Sequence, residues 1–342
     1  MKVKELGQVW TPKNIVDKMI NLITVKSPNL ILEPSSGTGM FYNELIKKFN
    51  NVIGVEIDPS IAHKNAIIAS YFDTNYQPDV IIGNPPYVDF KNIQNLPKSN
   101  FLIHKPNLYL FFIEKALNDL KQNGELIFIV PSAVFTSTSS YKLNEKIYKE
   151  YSITYFELID ENVWQNASVP TAIIKIIKTK NHIDKINYFY SNGKILFGDK
   201  PKQMDGIMMV KVGGASGFNS SLKKGDVPFV VSHTERTKQL NYIEYQPKDW
   251  IRAVPKPPKD FTYQIFVNCK TRNKNPFYIL ENEPANFINY DASVLCLFVN
   301  LDLNETKMLV KKLNNINWEM LGIKRSGRFH FSQSILSAIV SK

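Results

Sequence analysis

A short apolar run that stops abruptly, residues 80–82, constrains the fold more than any other feature of this chain. It is followed by Gly-Asn-Pro-Pro-Tyr at residues 83–87. The run predicts a buried strand, which must end by Gly83 because two consecutive prolines have no N–H to donate to a β-ladder. In open α/β sheets, ligands bind at the carboxyl ends of the strands. We therefore expect Asn84 and Tyr87 to lie at a ligand-binding edge of such a sheet.

The residue types in this stretch suit the polarisation of a planar exocyclic amine. The side-chain oxygen of Asn84 and the carbonyl of Pro85 can each accept one of the two N–H groups of the amine. The nitrogen is then drawn toward a tetrahedral, nucleophilic shape, while Tyr87 stacks on the attached ring. A tight turn that closes a strand is an equally good explanation of the stretch alone, since Asn-Pro often starts a turn.

A second strand end carries an acidic residue and a glycine-rich turn. Residues 30–32 predict a buried strand, and Glu-Pro-Ser-Ser-Gly-Thr-Gly at 33–39 leads into a predicted helix at 42–49. A strand, a glycine-rich turn and a helix form a nucleotide-binding crossover. Glu33 would repel a pyrophosphate but pair with a ligand ammonium group, which favours an amino-acid-bearing nucleoside over NAD.

A third strand, predicted at 52–58, also contains a carboxylate near its end. Glu56 takes the position that binds ribose hydroxyls in doubly wound folds, and Ile57 can pack on an adenine ring. A helix is predicted over 59–71, followed by a turn at Asp73. This aspartate can accept a hydrogen bond from an adenine amino group, although aspartate is also an ordinary turn residue.

Thr11 and Pro12 precede a predicted amphipathic helix at 14–23. Threonine near the N-cap and proline at the first helical position are a favourable helix start. A threonine at a helix N-terminus can also hold the carboxylate of a small ligand. The two interpretations are compatible.

The order of these stretches resembles that of the S-adenosylmethionine (AdoMet)-dependent N6-adenine DNA methyltransferases. Thr-Pro, Glu-Pro-x-x-Gly-x-Gly, Gly-Val-Glu-Ile-Asp and Asn-Pro-Pro-Tyr follow one another as in the gamma-class, TaqI-like enzymes of type II restriction-modification systems, with target recognition at the C-terminus. The resemblance implies an α/β fold, with a Rossmann-like AdoMet-dependent methyltransferase sheet and helices on both faces. It implies site-specific methyl transfer from AdoMet to a flipped-out adenine, with no metal.

The resemblance also implies roles for individual residues. The catalytic residues are Asn84, Pro85, Pro86, Tyr87 and Trp164. Trp164 stands where the family has an aromatic residue, more often Phe, that stacks on the flipped base; a tryptophan of the core is the alternative. The cofactor-binding residues are Thr11, Glu33, Ser35, Gly37, Gly39, Glu56, Ile57, Asp73 and Asn84.

Positive charge is concentrated in the second half of the chain. Residues 1–180 contain 19 lysines and 17 acidic residues, whereas residues 181–342 contain 23 basic and 14 acidic residues, including all five arginines. Arginine offers a planar fork that matches phosphate and guanine. A solvated basic surface is the alternative, but the asymmetry favours contact with nucleic acid.

We therefore expect a catalytic domain at 1–180 and a C-terminal mixed α+β DNA-recognition domain at 181–342. The glycine-rich stretch at 211–219 is similar to the segment that opens the recognition domain of TaqI-like enzymes. Basic residues flanked by polar or aromatic ones are the expected DNA contacts, more often to phosphates than to bases. They are Arg252, Lys270, Arg272, Lys274, Arg325 and Arg328.

Other classes fit less well. Neither of the two cysteines follows a proline, so the Pro-Cys nucleophile of cytosine-C5 methyltransferases is missing, and there is no CxxC metal site. Glutamine-N5 methyltransferases of release factors also use Asn-Pro-Pro-Tyr, but their catalytic domain follows a small helical domain. An RNA adenine-N6 methyltransferase stays open. A DNA-binding specificity subunit without catalysis disagrees with the intact 84–87 stretch and the AdoMet carboxylates.

The expected setting follows from the same features. Cysteine is sparse, and the apolar runs are far too short to span a bilayer. We expect a cytoplasmic monomer, associated with the nucleoid when it binds double-stranded DNA, with a separate restriction endonuclease as a possible partner. The recognised DNA sequence is not derivable from these residues.

Overall fold

The structure is a computed structural model that describes residues 10–159, 170–201, 204–214, 224–243, 256–319, 321–325 and 327–340. The chain divides into two compact units, Met1–Leu196 and Phe197–Lys342. Each unit has its own sheets and its own buried apolar residues.

The first unit is built on a seven-stranded sheet in the order β3-β2-β1-β4-β5-β7-β6, as far as the described residues define it. Its strands are β1 Ile31–Glu33, β2 Val52–Glu56, β3 Ile67–Ile68, β4 Val80–Gly83, β5 Glu125–Pro131, β6 Ser152–Ile159 and β7 Thr171–Ile177. Strands β1 to β5 run parallel, whereas β7 is antiparallel to both of its neighbours. The chain adds β2 and β3 on one side of β1 and then β4 and β5 on its other side, and this change in strand order creates a crevice at the carboxyl ends of β1 and β4.

Helices cover this sheet. They are α1 Lys13–Asn21, α2 Met40–Leu45, α3 Leu108–Asp119 and α4 Tyr141–Glu150, with 3₁₀ turns at Tyr71–Asp73, Phe90–Asn92 and Thr138–Ser140. Helix α1 buries Ile15, Val16, Met19 and Ile20, the stripe expected of an amphipathic helix. This stripe and α2 pack on one face of the sheet, in a cluster that includes Val80, Ile82, Ile127 and Ile129. The residues of β5 that alternate with those in the cluster are also buried. Helix α3, whose residues are not part of the cluster, contacts β5 as well. The predicted α/β layers are confirmed.

The helix predicted over 59–71 is wrong. These residues form turns and then the short edge strand β3, which pairs with β2 through Val55 and Ile67. The backbone N–H of Ala69 donates to the carbonyl of Glu56 at 3.0 Å, and that of His63 donates to the carbonyl of Gly37 at 3.0 Å. Tertiary hydrogen bonds of this kind satisfy the backbone in place of a helix.

A hairpin at the end of the first unit explains where the units divide. Its strands are β8 Tyr188–Ser191 and β9 Lys194–Phe197. The side chain of Asn144 on α4 donates to the carbonyl of Gly193 at 2.9 Å, and the buried Lys194 donates to the hydroxyl of Tyr141 at 2.8 Å. Because the hairpin is fastened to α4, the first unit extends past the 180/181 boundary expected from the sequence, to Leu196.

The second unit combines small sheets and helices, as predicted for a mixed α+β part. Its strands are β10 Ile207–Val212, β11 Lys224–Val230, β12 Asn241–Ile243, β13 Tyr263–Asn268, β14 Lys270–Thr271, β15 Asn289–Tyr290, β16 Val294–Val299, β17 Lys324–Arg325 and β18 Arg328–His330. Its helices are α5 Thr234–Thr237, α6 Leu303–Asn314 and α7 Gln333–Val340. They accompany three-stranded sheets in the orders β10-β16-β13, β12-β11-β15 and β14-β18-β17.

Strand β16 lies between β10 and β13 and is buried along its whole length, so it is the centre of the core of this unit. Among the described helices of the chain, none is both long enough and apolar enough to cross a membrane.

Candidate active site

Three strands bring the predicted site residues to one edge of the main sheet. Glu33 is the last residue of β1, Glu56 is the last residue of β2, and Asn84 follows β4 directly. Because β1 lies between β2 and β4 and all three are parallel, these side chains leave the sheet at the same edge. Alternation of apolar strands with turns was sufficient to predict this arrangement.

A cavity of about 1200 Å³ opens at this edge. The predicted residues that line it are Thr11, Glu33, Ser35, Gly37, Glu56, Ile57, Asp73, Asn84 and Pro86. Of the predicted cofactor-binding residues, Gly39 alone is outside this lining; it is the N-cap of α2. Phe72 and Phe112, which meet edge to face with ring centroids 5.0 Å apart, also line the cavity. Nothing in the local sequence marks these two phenylalanines, because each resembles an ordinary core residue.

Glu33 is a buried carboxylate that lacks a full set of partners. Its side chain is 2% exposed, and its Oε2 has no hydrogen-bond partner within the described part of the chain. Burial raises the pKa of Glu33 well above its ordinary value; a backbone N–H of Tyr42 opposes the shift, and the charge of Glu56 adds to it. An unpartnered buried carboxylate is costly. A ligand that brings a positively charged donor would remove this cost.

Glu56 fixes the glycine-rich turn. Its Oε2 accepts from the backbone N–H of Gly37 at 2.8 Å, and its Oε1 accepts from the backbone N–H of Asp58 at 2.9 Å. The turn is also fastened through Ser36, whose N–H donates to the carbonyl of Val55 at 2.9 Å. The carboxylate at the end of β2 therefore holds the glycine-rich turn that follows β1.

His63 supports the same turn and was not foreseen from the sequence. Its ring stacks on Tyr42 with centroids 4.2 Å apart. A Cβ on Gly39, which has φ of +86°, would lie 3.0 Å from the His63 ring, and a Cβ on Gly54 would lie 2.6 Å from its Nε2. A side chain at Gly39 would be strained by the backbone conformation, and a side chain at either position would have to displace the His63 ring. A single histidine in a polar stretch carries no sequence signal for this packing role.

Asn84 is held by two separate segments of the chain. Its Nδ2 donates to Oγ1 of Thr11 at 3.2 Å, and its backbone carbonyl accepts from Oγ of Ser35 at 3.2 Å. The residue before it, Gly83, has φ of +155°, a conformation that residues with a Cβ rarely adopt. The direction of the asparagine is thus set by a backbone conformation that glycine permits and by two hydroxyl groups.

The predicted helix start at Thr11 is corrected by this contact. The N-cap of α1 is Pro12, and no side-chain capping hydrogen bond is present there. Thr11 is 6% exposed, and its hydroxyl oxygen faces Asn84 instead of the backbone of the helix.

Tyr87 is anchored by its hydroxyl. The hydroxyl donates to the carbonyl of Ile129 at 3.0 Å, and the ring meets Tyr109 edge to face, with centroids 5.9 Å apart. Burial, followed by the neighbouring Tyr109, raises the pKa of Tyr87 well above its ordinary value of 10.0. The phenol therefore stays protonated near neutral pH, and the partly exposed ring is the part of Tyr87 that can contact a ligand. Pro85 is buried beside it, and Trp164 lies outside the described residues.

The long segment after Tyr87 forms another wall of the cavity. Residues 91–95 and Pro97 line it. The segment is fastened to α3 through Glu114, which accepts from the hydroxyl of Ser99 at 2.5 Å and from the backbone N–H of Asn100 at 3.0 Å.

In the second unit, predicted DNA contacts that are distant in sequence come together. Lys270 on β14 pairs with His330 on β18, and Arg328 on β18 pairs with Arg325 on β17. Lys270, Arg272, Lys274 and Arg328 are exposed. The two basic clusters therefore form one surface, which we call the basic sheet: β14, β18, β17 and the turn 272–275. Arg252 lies outside the described residues.

A chain of hydrogen bonds holds the turn of the basic sheet. The Oε2 of Glu235 accepts from Oγ1 of Thr271 at 2.8 Å and from Nδ2 of Asn268 at 3.2 Å. The Thr271 hydroxyl in turn accepts from the N–H of Asn273 at 3.0 Å, and Asn273 accepts from the N–H of Asn275 at 3.0 Å.

Within the described residues, no group of three or more His, Cys, Asp or Glu side chains is arranged to hold a metal ion.

Comparison with known proteins agrees with the motif order. Residues 29–165 match the family model described as Eco57I restriction-modification methylase. The type II methyltransferase M.HincII of Haemophilus influenzae is 37% identical over 203 residues, which cover 55% of this chain and 40% of that protein. The type II methyltransferase M.CvrRI of Paramecium bursaria Chlorella virus XZ-6E is 29% identical over 222 residues, which cover 60% and 57%. The resemblance inferred from the motifs is confirmed, although the chain spans only about half the length of these relatives.

One solved structure is similar over most of the chain. A cryo-EM structure of a DrdV–DNA complex matches with a TM-score of 0.51 and 13% identity, covering 87% of this chain and 50% of that one. At this identity the similarity concerns the fold alone.

Proposed function

We propose that this protein is an AdoMet-dependent DNA methyltransferase of a restriction-modification system, and that it methylates N6 of adenine. The observation that carries the proposal is the meeting of Glu33, Glu56 and Asn84 around one cavity, with Asn84 gripped by Thr11 and Ser35. The matches to type II methyltransferases support the class of substrate. The choice of adenine depends on the Asn-Pro-Pro-Tyr stretch.

The residues around the cavity fit AdoMet. The buried Oε2 of Glu33, unpartnered within the described residues, suits the ammonium group of the cofactor, and Thr11 suits its carboxylate. Glu56 and the turn with Ser35, Gly37 and Gly39 suit the ribose, while Ile57, Asp73 and Phe112 suit the adenine. When bound, AdoMet supplies a methyl group on a positively charged sulfur, which is an electrophile for a nucleophilic nitrogen.

Asn84 and Pro85 would hold the target amine. The Asn84 side-chain oxygen and the Pro85 carbonyl would accept its two N–H groups and draw the nitrogen lone pair out of the ring. Positioning and these two dipoles would provide most of the rate. No strong general base is needed, because the proton leaves after the new bond has formed. This agrees with the raised pKa of Tyr87, whose phenol cannot serve as a base near neutral pH.

Stacking would offset the cost of taking the base out of the duplex. Extrusion costs a few kcal/mol, and stacking on an aromatic side chain contributes about 1–3 kcal/mol per base. The Tyr87 ring, fixed through its hydroxyl, is one stacking partner. Trp164 is the other in this proposal.

The basic sheet of the second unit is the proposed DNA contact surface. Lys270, Arg272, Lys274 and Arg328 are exposed there, and Arg325 and Arg252 are proposed as further contacts. We infer that the protein acts in the cytoplasm as a monomer on double-stranded DNA, with any restriction endonuclease acting separately.

Replacing Asn84 with Ala tests the proposal. We expect AdoMet still to bind, as measured by calorimetry. The rate of transfer of tritiated methyl groups to DNA should fall by at least about 10²-fold, as when one preorganised polar group is removed from an active site. Lys307→Ala, on the exposed face of α6, is the control and should retain activity. Full transfer by the Asn84→Ala protein would remove Asn84 from the chemistry.

A further inference from the structure

Thr11 provides an acceptor where the catalytic asparagine needs one. An asparagine amide has a carbonyl oxygen on one side and an NH₂ group on the other, and a rotation about its last torsion exchanges them. The NH₂ side of Asn84 donates to Oγ1 of Thr11 at 3.2 Å. Thr11 is 6% exposed, so water does not readily compete for this contact.

The orientation of this amide matters for a target amine. If the oxygen points toward the target, it accepts an N–H and draws electron density toward the nitrogen. In the opposite orientation, two donors would face each other, and the nitrogen would lose its polarising partner. The hydroxyl of Thr11 can donate as well as accept, so its contact with the NH₂ side selects the productive orientation when its own proton is engaged elsewhere. The cofactor carboxylate that Thr11 suits would engage that proton.

Ser35 performs a different task at the same residue. Its hydroxyl donates to the backbone carbonyl of Asn84 at 3.2 Å, so it holds the main chain and leaves the amide orientation unset. Thr11 precedes α1, and Ser35 belongs to the turn between β1 and α2. The two contacts come from segments that are distant in the sequence, and the contact of Thr11 is to the NH₂ end of the side-chain amide.

We propose that Thr11 is a positioning residue that sets the amide of Asn84 for the target amine, in addition to any contact with the cofactor. The proposal rests on the proposed function. A threonine that only held the cofactor would affect cofactor affinity, whereas one that orients Asn84 affects the methyl-transfer step after the cofactor site is full.

Three variants separate these roles. Thr11→Val keeps the shape of the side chain but removes the hydroxyl, Thr11→Ser keeps the hydroxyl, and Ser35→Ala removes the backbone contact. We expect Thr11→Val to lower the single-turnover rate at saturating AdoMet by about 10²-fold, the loss typical of a misplaced reacting group. Thr11→Ser should recover most of that rate. An AdoMet affinity reduced by Thr11→Val with an unchanged saturated rate would overturn the proposal.

A readout without the cofactor makes the test independent of activity. The two side-chain amide protons of Asn84 can be followed by ¹⁵N-edited NMR, with Asn84→Asp used to assign them. We expect Thr11→Val to shift both signals and Ser35→Ala to leave the difference between them close to wild type. Unchanged Asn84 signals in Thr11→Val would overturn the positioning role. Absence of methyl transfer to nucleic acid by the wild type would instead overturn the proposed function, while the NMR comparison would still decide the role of Thr11.

Discussion

Glu33 combines a proposed role in cofactor binding with a cost in stability. Its carboxylate is buried, and its Oε2 has no hydrogen-bond partner among the described residues. Its pKa is raised by burial above the ordinary value of 4.5. Between these two pKa values the folded protein keeps a proton that the unfolded chain has lost, so the free energy of unfolding decreases as the pH rises through this window.

Replacement of Glu33 by Gln should therefore stabilise the ligand-free protein at neutral and alkaline pH. The melting temperature of the variant should depend less on pH than that of the wild type, because the ionisation is gone. Its affinity for AdoMet should fall about 10- to 100-fold, since a hydrogen bond to a charged group contributes about 1.5–3 kcal/mol. Melting curves from pH 5 to 9 and calorimetry measure the two effects.

Glu44 provides the control for Glu33. It pairs with Lys47 at 2.6 Å, and this hydrogen bond lowers the pKa of Glu44 despite opposing desolvation. Its contribution to stability is present above the ordinary pKa of 4.5 and is lost only as the pH falls below that value. Glu44→Gln should therefore leave the pH dependence of melting between pH 5 and 9 close to that of the wild type. A Glu33→Gln protein that melts below the wild type at pH 8 would contradict the account.

At the scale of residues, the sequence predicts which polar side chains lie at the carboxyl ends of the strands. Glu33, Glu56 and Asn84 were predictable because an apolar run followed by a turn fixes the position of the next polar side chain. Three other features were not predictable: the hydrogen bond from Asn84 to Thr11, the packing of the His63 ring against Gly39, and the position of Phe112 in the cavity wall. Each depends on residues brought together by packing between segments, and no local pattern records such a contact.

At the scale of elements, the prediction from the sequence was wrong where pairing with a distant strand determined the structure. The stretch 59–71 contains residues compatible with a helix, yet Ile67–Ile68 pair with β2 as an edge strand. Similarly, the basic clusters near residues 270 and 325 were predicted separately, and antiparallel pairing through β18 joins them. Propensity is a weak guide where a neighbouring strand offers hydrogen bonds.

The basic sheet has a testable consequence for DNA binding. Arg272→Ala and Arg328→Ala should each weaken binding to DNA and reduce the slope of log affinity against log salt by about 1 if each neutralises a phosphate. Titrations at several salt concentrations measure the slope. Lys307→Ala is the matched control, because Lys307 is exposed in the same unit but paired with Glu281 at 2.7 Å. Unchanged slopes in both arginine variants would remove these residues from the DNA interface.

At the scale of the whole molecule, the first unit carries the proposed chemistry and the second carries most of the net positive charge. Residues 29–165, which match the methylase family model, lie within the first unit. The similarity to the DrdV complex structure extends over 87% of the chain, so the fold of the second unit is also represented among known structures. The division into an α/β part and a mixed α+β part was predictable from the loss of strand–helix alternation. The identity of the DNA site was not, because it depends on individual side chains at a surface.

The identity of the methylated nucleoside tests the central claim most directly. Plasmid DNA from a host without adenine or cytosine methyltransferases is incubated with the full-length protein and AdoMet, digested to nucleosides and analysed by mass spectrometry. The account predicts N6-methyldeoxyadenosine with the wild type, with at least about 10²-fold less in the Asn84→Ala protein. N4-methyldeoxycytidine as the product, or methyl transfer to RNA or protein with none to DNA, would contradict it.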